Sequence, residues 1–597
     1  MSHWVYVLFI LILGFVLRII YLDFQSPWLD EIITLKITSP ESSYSDIIDR
    51  MKSGNQHLPL YYSFVHFIGN IFGHGIYMVR LVSVLFGVLG IWLMYLLSKE
   101  FLPKNYALIP TMFCAVNFFL IQYAQEARSY TLLFVASILT LLYFVKFIKN
   151  PTVNYALFYG LSLGLILNIH VYALFVVWAQ VLVLIYLLFH FKKPKLLTFS
   201  ILSFGIAIIF ALPMLYVLWN NAANDDLWIP EPGLLVFYNI PLTFFGESRL
   251  LFGWVILFLL FGFYALFTGT QNQKSELSHR ISAIILFSAM IIPFITTFLI
   301  SKFYIPIIES RYLIIILPPL FIILAFGFYQ LKSIRLQIIS VLAFSVLSVI
   351  ILMGHRQFYT QIYKTQFREV AQYIQLESPK TTIVSDLSWY MEYFFENENY
   401  IFEHLDLETY SNQMKNTELP KEFWYFGAHN QTYNPQAEYL QTINNQYYIT
   451  DEFDGYDIWA KKFEHKSVIE LPDLSNFDLT QNQQGNNIKS WVEYHTFTEN
   501  QLNIKAWAFL ENQNSQNSQT YIVLAKANEI QSIIPVQSII RPDINQAFPG
   551  NFDLSNAGIE QIISLADAEP GVYHVLFYLQ NGKAKGFVKS DIQLEVF

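Results

Sequence analysis

Between residues 4 and 354 the chain alternates long apolar runs with short polar intervals. A helix needs roughly 20 apolar residues to cross a bilayer core, and on that measure eleven spans are predicted. They are 4–22, 77–98, 105–121, 129–148, 154–169, 171–190, 197–219, 251–269, 281–300, 312–330 and 336–354, the third and fifth being short. The first polar interval, 23–76, is the longest, and its pieces 43–52 and 60–72 suit short helices lying in the interface. Tyr61, Tyr62 and Phe64 are expected there as aromatic anchors.

Past residue 358 the pattern becomes that of a soluble protein. TQFREVAQYIQLES (365–378) has helical spacing, and SWYMEYFFENE reads as a second helix. TTIVSD (381–386), EFWYFGA (422–428) and YDIWAKKF (456–463) read as strands of an α/β domain spanning 359–478. After the polar linker LTQNQQGNN (479–487), short strands recur: SWVEYHTF, LNIKAWAFL, TYIVLAKA, SIIPVQSII, GVYHVLFYLQ and DIQLEVF. They predict a β-sandwich of immunoglobulin-like type over 484–597. Trp491 and Trp507 are expected in its core and not as sugar platforms. Residues 1–358 form the expected transmembrane domain.

Composition agrees with the pattern. The chain is 54% hydrophobic and only 14% charged, against about 25% charged in soluble chains. The net charge of −9 argues against a nucleic-acid partner. Cys114 is the sole cysteine, which excludes an internal disulfide. Met1 is followed by no basic n-region and no small-residue cleavage site, so 4–22 is expected to be a retained span. Basic residues fall in alternate loops: Lys99 and Lys104, Lys146 and Lys149, Lys192, Lys193 and Lys195, Lys274 and Arg280, then Lys332 and Arg335. The bias toward positive cytoplasmic loops predicts a multi-pass protein of the cell (inner or plasma) membrane with its N-terminus in the cytoplasm. The loop 23–76 and the soluble C-terminal half are then extracytoplasmic, that is, periplasmic.

The loops on the outer side hold the candidate chemistry. Asp30 and Glu31 lie in SPWLDEI (26–32), directly after the first span, where an acidic pair is costly unless it works or holds an ion. GNQHLPLYY (54–62) carries His57, and Arg80 opens the second span. YAQEARSY (123–130) brings Glu126 and Arg128, and SKFYIPIIESR (301–311) brings Lys302 and Arg311 just before Tyr312. His170 is a further outer-side candidate.

In this order, the acidic pair, HLPLYY, YAQEARSY and ESRYLIIILPP resemble the polytopic glycosyltransferases of the C-type (GT-C) fold. The similarity is to the bacterial branch related to protein O-mannosyltransferases, family 39-like, and it covers about the first 355 residues. The one departure is Leu58–Pro59 where the family usually has two prolines. The resemblance implies a membrane enzyme that moves a sugar from a polyprenyl-phosphate donor to a glycan, lipid or protein acceptor outside the cytoplasm, with inversion. It implies Asp30 as the base, with Glu31 orienting the acceptor or binding an ion. A departing lipid phosphate calls for fixed cations, and Arg128, Arg311 and Arg18 are the candidates. Arg18 has the alternative of pairing with Asp23 or Asp30. His57, Glu126, Tyr312 and Lys302 are candidates for the substrate pocket, and Glu126 could equally pair with Arg128. A divalent ion is the one candidate cofactor, although no ligand spacing demands it. Two other readings are a lipid-linked sugar transporter or flippase, which would favour midplane polar sites, and a non-catalytic assembly protein of cell-envelope glycans.

Overall fold

The computed structural model describes residues 3–596 except 53–57, 192–193, 222–228, 269–278, 396–398, 415–418, 437–438, 440–441, 444–445, 467–470, 499, 516–517, 537, 551 and 567. The chain divides into two compact units, Met1–Tyr363 and Lys364–Phe597.

The first unit is helical. Its elements are α1 (His3–Ile19), α2 (Leu29–Ile37), α3 (Tyr44–Lys52), α4 (Pro59–Phe72), α5 (Ile76–Ser98), α6 (Leu108–Val116), α7 (Phe118–Ala124), α8 (Tyr130–Lys149), α9 (Val153–Leu167) and α10 (Ala173–Phe191). There follow α11 (Pro194–Asn221), α12 (Val236–Thr243), α13 (Arg249–Thr268), α14 (His279–Phe303), α15 (Leu317–Tyr329), entered through a 3-10 turn at Ser310–Ile316, and α16 (Ile334–Ile350). Among the described residues eight helices are long and apolar enough to cross a membrane, and α1 and α9 are shorter apolar helices. The protein is therefore a multi-pass membrane protein. Helix α8 and the segment 310–329 are buried over most of their length, whereas α11, α13 and α16 leave most of theirs uncovered. That contrast separates a central pair from helices whose apolar surface the protein leaves largely open.

Ten of the eleven expected spans are each a single run of helix; the third is broken. Asn117 takes an extended conformation between α6 and α7, and its Oδ1 caps the Leu120 amide at 3.1 Å. Its Nδ2 donates to the Phe244 carbonyl at 2.8 Å. A broken helix leaves carbonyls without intrahelical partners, a large cost away from water. Arg18 satisfies them: Nη2 donates to the Cys114 carbonyl and Nη1 to the Ala115 carbonyl, both at 2.9 Å. The guanidinium reaches them across α5 because position 87 is glycine, where a Cβ would lie 2.9 Å from Arg18 Nε.

Helices α3 and α4 form where short helices are expected, but Tyr61 and Tyr62 are not membrane anchors. Both are fully buried, and only Phe64 is exposed.

The second unit holds three sheets. Strands β1 (Thr381–Val384), β2 (Tyr400–Glu403), β3 (Glu422–Ala428), β4 (Tyr447–Gly455) and β5 (Ile458–His465) run in the order β2-β1-β3-β5-β4. β1 is parallel to β2 and β3, and β5 is antiparallel to β3 and β4. Helix α17 (Phe367–Glu377) accompanies this sheet, with α18 (Ser388–Met391) and α19 (Leu407–Met414) between strands. β6 (Gln483–Gly485), β7 (Ile488–Thr498), β8 (Gln501–Leu510), β9 (Gln519–Lys526), β10 (Glu529–Val536), β11 (Ser538–Ile539), β12 (Gly558–Ser564), β13 (Gly571–Asn581) and β14 (Ala584–Val596) complete the chain. They make two sheets, β10-β9-β13-β14-β6 and β11-β12-β8-β7. Leu502, Ile504, Ile522, Val575 and Phe577 form the core of this sandwich.

Trp491 departs from the core expectation: it is 62% exposed. Directly paired tryptophans of neighbouring strands share one face of the sheet, and Trp491 pairs with Trp507 on the outward face. Only Trp507 is covered, by Phe509 and Phe548.

Candidate active site

The turn 20–28 leads from α1 into α2, whose first turn carries both carboxylates. Glu31 points inward. Arg80 on α5 donates to it in bidentate fashion, Nε to Oε1 at 2.8 Å and Nη2 to Oε2 at 2.7 Å. The Ala127 amide donates to Oε1 at 2.8 Å. Arg80 also donates to the carbonyls of Leu22 and Gln25 at 3.0 and 2.9 Å. Both charged side chains are out of solvent, so each is the other's compensation. The pair fixes three segments at once: the turn before α2, the start of α5 and the loop before α8. Arg80 is legible in the sequence as the residue that opens its span, but nothing in the local pattern ties it to Glu31.

Asp30 points the other way. Its Oδ2 lies 3.4 Å from Arg128 Nη2 and 4.0 Å from Arg311 Nη1. Arg128 comes from the loop between α7 and α8, and Arg311 from the 3-10 turn that leads into α15. Their side chains are 4% and 14% exposed, and that of Asp30 is 19% exposed. Arg128 Nη1 also donates to the Asp30 carbonyl and the Tyr62 hydroxyl, each at 3.2 Å. Tyr62 stands there because Pro59 opens α4 and the following turn carries both tyrosines inward. Two guanidiniums from separate elements thus converge on one partly open carboxylate.

Rings wall this cluster. The Arg311 guanidinium lies 5.4 Å from the Tyr312 ring and 5.9 Å from the Trp28 ring, and that of Arg128 lies 5.8 Å from the Tyr130 ring, within reach of cation–π attraction. His170, in the turn between α9 and α10, has its ring 4.6 Å from that of Tyr312. The Tyr172 amide donates to His170 Nδ1 at 3.2 Å, which leaves Nε2 as the site of a proton. Burial first, then the positive fields of Arg128 and Arg311, push the imidazole down from 6.5 to about 3, so it is neutral at ordinary pH.

The other sequence candidates divide. Tyr312 belongs to the wall of the cluster. Glu126 is buried in the loop that carries Arg128. Arg18, expected at a phosphate or paired with Asp23 or Asp30, instead holds the carbonyls of the broken third span. Lys302 is exposed and pairs with Glu231 at 2.5 Å, away from the pairings that define the Asp30 cluster. His57 lies outside the described residues. Among the described residues no group of three or more His, Cys, Asp or Glu is placed to hold a metal ion.

The fold and this cluster together define a polytopic membrane protein with a cation-flanked carboxylate where several apolar helices end. Residues 56–219 match the family described as dolichyl-phosphate-mannose-protein mannosyltransferase, a stretch that contains HLPLYY and YAQEARSY and agrees with the resemblance read from the sequence. Comparison with curated proteins gives no match. Solved structures similar to the chain include ArnT from Cupriavidus metallidurans, determined in the apo state and bound to undecaprenyl phosphate. It is 12% identical, with 77% of this chain and 97% of that one covered and a TM-score of 0.49. AglB from Archaeoglobus fulgidus, an archaeal oligosaccharyltransferase in complex with an inhibitory peptide and a dolichol-phosphate, is 10% identical over 99% of this chain and 97% of that one, with a TM-score of 0.44. The S. cerevisiae protein O-mannosyltransferase Pmt1-Pmt2 complex, bound to the sugar donor, is 16% identical over 38% of this chain and 35% of that chain, with a TM-score of 0.31.

Proposed function

We propose that the chain is an integral-membrane glycosyltransferase of the C-type fold, transferring a sugar from a polyprenyl-phosphate donor to an acceptor hydroxyl on the outer face of the cell membrane. The observation that carries this reading is the Asp30 carboxylate held between Arg128 and Arg311. A single displacement needs a base for the acceptor proton and cations for the leaving phosphate, and this cluster supplies both. The acceptor oxygen bonds to the sugar's anomeric carbon as the bond from that carbon to the phosphate oxygen breaks. Asp30 takes the acceptor proton, and the polyprenyl phosphate leaves against the two guanidiniums. Glu31 positions the base: its bond to the Ala127 amide and its pairing with Arg80 hold α2 and the Arg128 loop in register. A phosphate arriving at Arg128 and Arg311 competes with Asp30 for the same donors, so donor binding frees the carboxylate for the acceptor. Neutral His170 and the tyrosines around it line the space where a sugar would sit.

Asp30→Asn tests the reading. It keeps shape and removes the charge that takes the proton. A base contributes about 10²–10⁴-fold, so single-turnover transfer from a polyprenyl-phosphate sugar in nanodiscs should fall by that order while the donor still binds. Transfer at the parental rate would sink Asp30 as the base.

A further inference from the structure

In the second unit a cleft of about 660 Å³ opens between the α/β sheet and the sandwich. It lies where three strand edges meet. β4 ends one sheet and β10 ends another, and β12 has no strand beyond Ile559 on its β11 side among the described residues. Ligand clefts run to roughly 300–1,000 Å³, so the volume suits a short oligomer and is far too large for an ordered ion. Its walls carry the rings of Tyr433 and Tyr448, the side chains of Asn503, Gln531 and Gln561, and the carboxylate of Glu560.

Charge decides the ligand class. Lys461 pairs with Glu452, Glu560 lies 3.9 Å from Lys505, and Glu569 lies 3.2 Å from Lys526. Lys466, the other lining cation, lies 4.8 Å from the Tyr448 ring. The lining thus holds two lysines and two glutamates, and no field of one sign remains to select a strongly charged ligand. What it offers is planar amides, which both give and accept hydrogen bonds, and a carboxylate that accepts them from hydroxyls, beside tyrosine rings with an apolar body and a polar tip. An extended peptide would want the bare strand edges, but the Tyr448 hydroxyl already lies 3.5 Å from the Ile533 carbonyl on the β10 edge. We infer that this cleft is a binding site for a neutral oligosaccharide, built by Tyr433, Tyr448, Gln531, Glu560 and Gln561. It is a site in addition to the Asp30 cluster and does not rest on its chemistry.

The test uses the full chain in nanodiscs and reads binding without turnover. Mannotriose, maltotriose and chitotriose are presented in turn, with a panel of unstructured peptides as the competing class, and saturation-transfer NMR and calorimetry report contact and Kd. Binding of a trisaccharide is expected, weakened about three- to tenfold by Gln531→Ala and by Glu560→Ala, the loss of one hydrogen bond each. Both positions are exposed, so folding should survive the change. Trp491→Ala, on the outward face and off the cleft, should bind like the parent. The inference is overturned if no trisaccharide binds, if a peptide alone does, or if Trp491→Ala abolishes binding that the cleft variants retain. None of these results bears on transfer at Asp30.

Discussion

Neutralising Glu31 should unsettle the site without removing any group that touches substrate. The Glu31 oxygens receive three bonds of 2.7–2.8 Å, two from Arg80 and one from the Ala127 amide. Neither side chain of the pair is more than 1% exposed, so water cannot screen what is left behind. Removing one partner of such a pair costs about 3–5 kcal/mol, chiefly the desolvation of the abandoned charge. Glu31→Gln keeps the acceptor for Ala127 and strands the Arg80 charge among carbonyls; Arg80→Gln strands the carboxylate. Each single variant should therefore lose stability of that order. The double variant Glu31→Gln/Arg80→Gln should recover about 1–3 kcal/mol of the summed loss, because the two residues are coupled. Denaturant titration of the detergent-solubilised protein measures all three. Single-turnover transfer should fall with them, since a displacement of about 1 Å in the Arg128 loop can cost about 10²-fold. Additive losses in the cycle, or a Glu31→Gln variant as stable and as active as the parent, would rule out Glu31 as the anchor of this site.

Arg128→Lys should lower transfer and Arg128→Ala should lower it about ten- to a hundredfold, the loss of one charge-assisted contact with the phosphate; donor-concentration kinetics would record this as a raised KM or lowered turnover. Arg18→Met should cost about 1–3 kcal/mol by leaving the Cys114 and Ala115 carbonyls unsatisfied, while the surviving folded protein binds donor with parental affinity, which donor titration separates from a phosphate role. For His170 the folded value is depressed to about 3 from 6.5. Its contribution to stability is therefore complete above 6.5 and is lost as pH falls toward 3. His170→Asn should flatten the pH dependence of unfolding across that window, as pH-stepped denaturant titrations would record.

The spans were legible because an apolar run is a direct measure of bilayer thickness, and ten of them need no tertiary information. The third run gave no sign of its break, since Asn117 sits among residues that are all compatible with helix and the carbonyl it binds, at Phe244, is far along the chain. Tyr61 and Tyr62 were misplaced for a related reason. An apolar-faced helix beside a membrane reads as interfacial, and only the position of Arg128 shows that this face turns inward. In the second unit the alternating strands are readable, but the pattern gives no sign of β2, β4, β12 or β6, the last of which lies within the expected linker 479–487 and pairs with β14. β4, with its run of Asp and Glu, lacks the composition that marks a strand. The outward place of Trp491 follows from its register opposite Trp507, which sequence alone does not give.

The acidic pair illustrates how far adjacency in sequence carries. On a helix, neighbouring residues point about 100° apart, a consequence of 3.6 residues per turn. Two carboxylates in the first turn of α2 therefore cannot share one environment, and the chain gives them opposite ones. Glu31 faces α5 and is closed off by Arg80; Asp30 faces the loop before α8 and the turn before α15 and stays partly open. The buried charge is the more strongly held and is closed to solvent. The other is partly open, and its partners are cations that a phosphate can also claim. Adjacency thus joins an anchor to the proposed base with no linker between them, so any shift of the anchor is transmitted to Asp30 within a single residue.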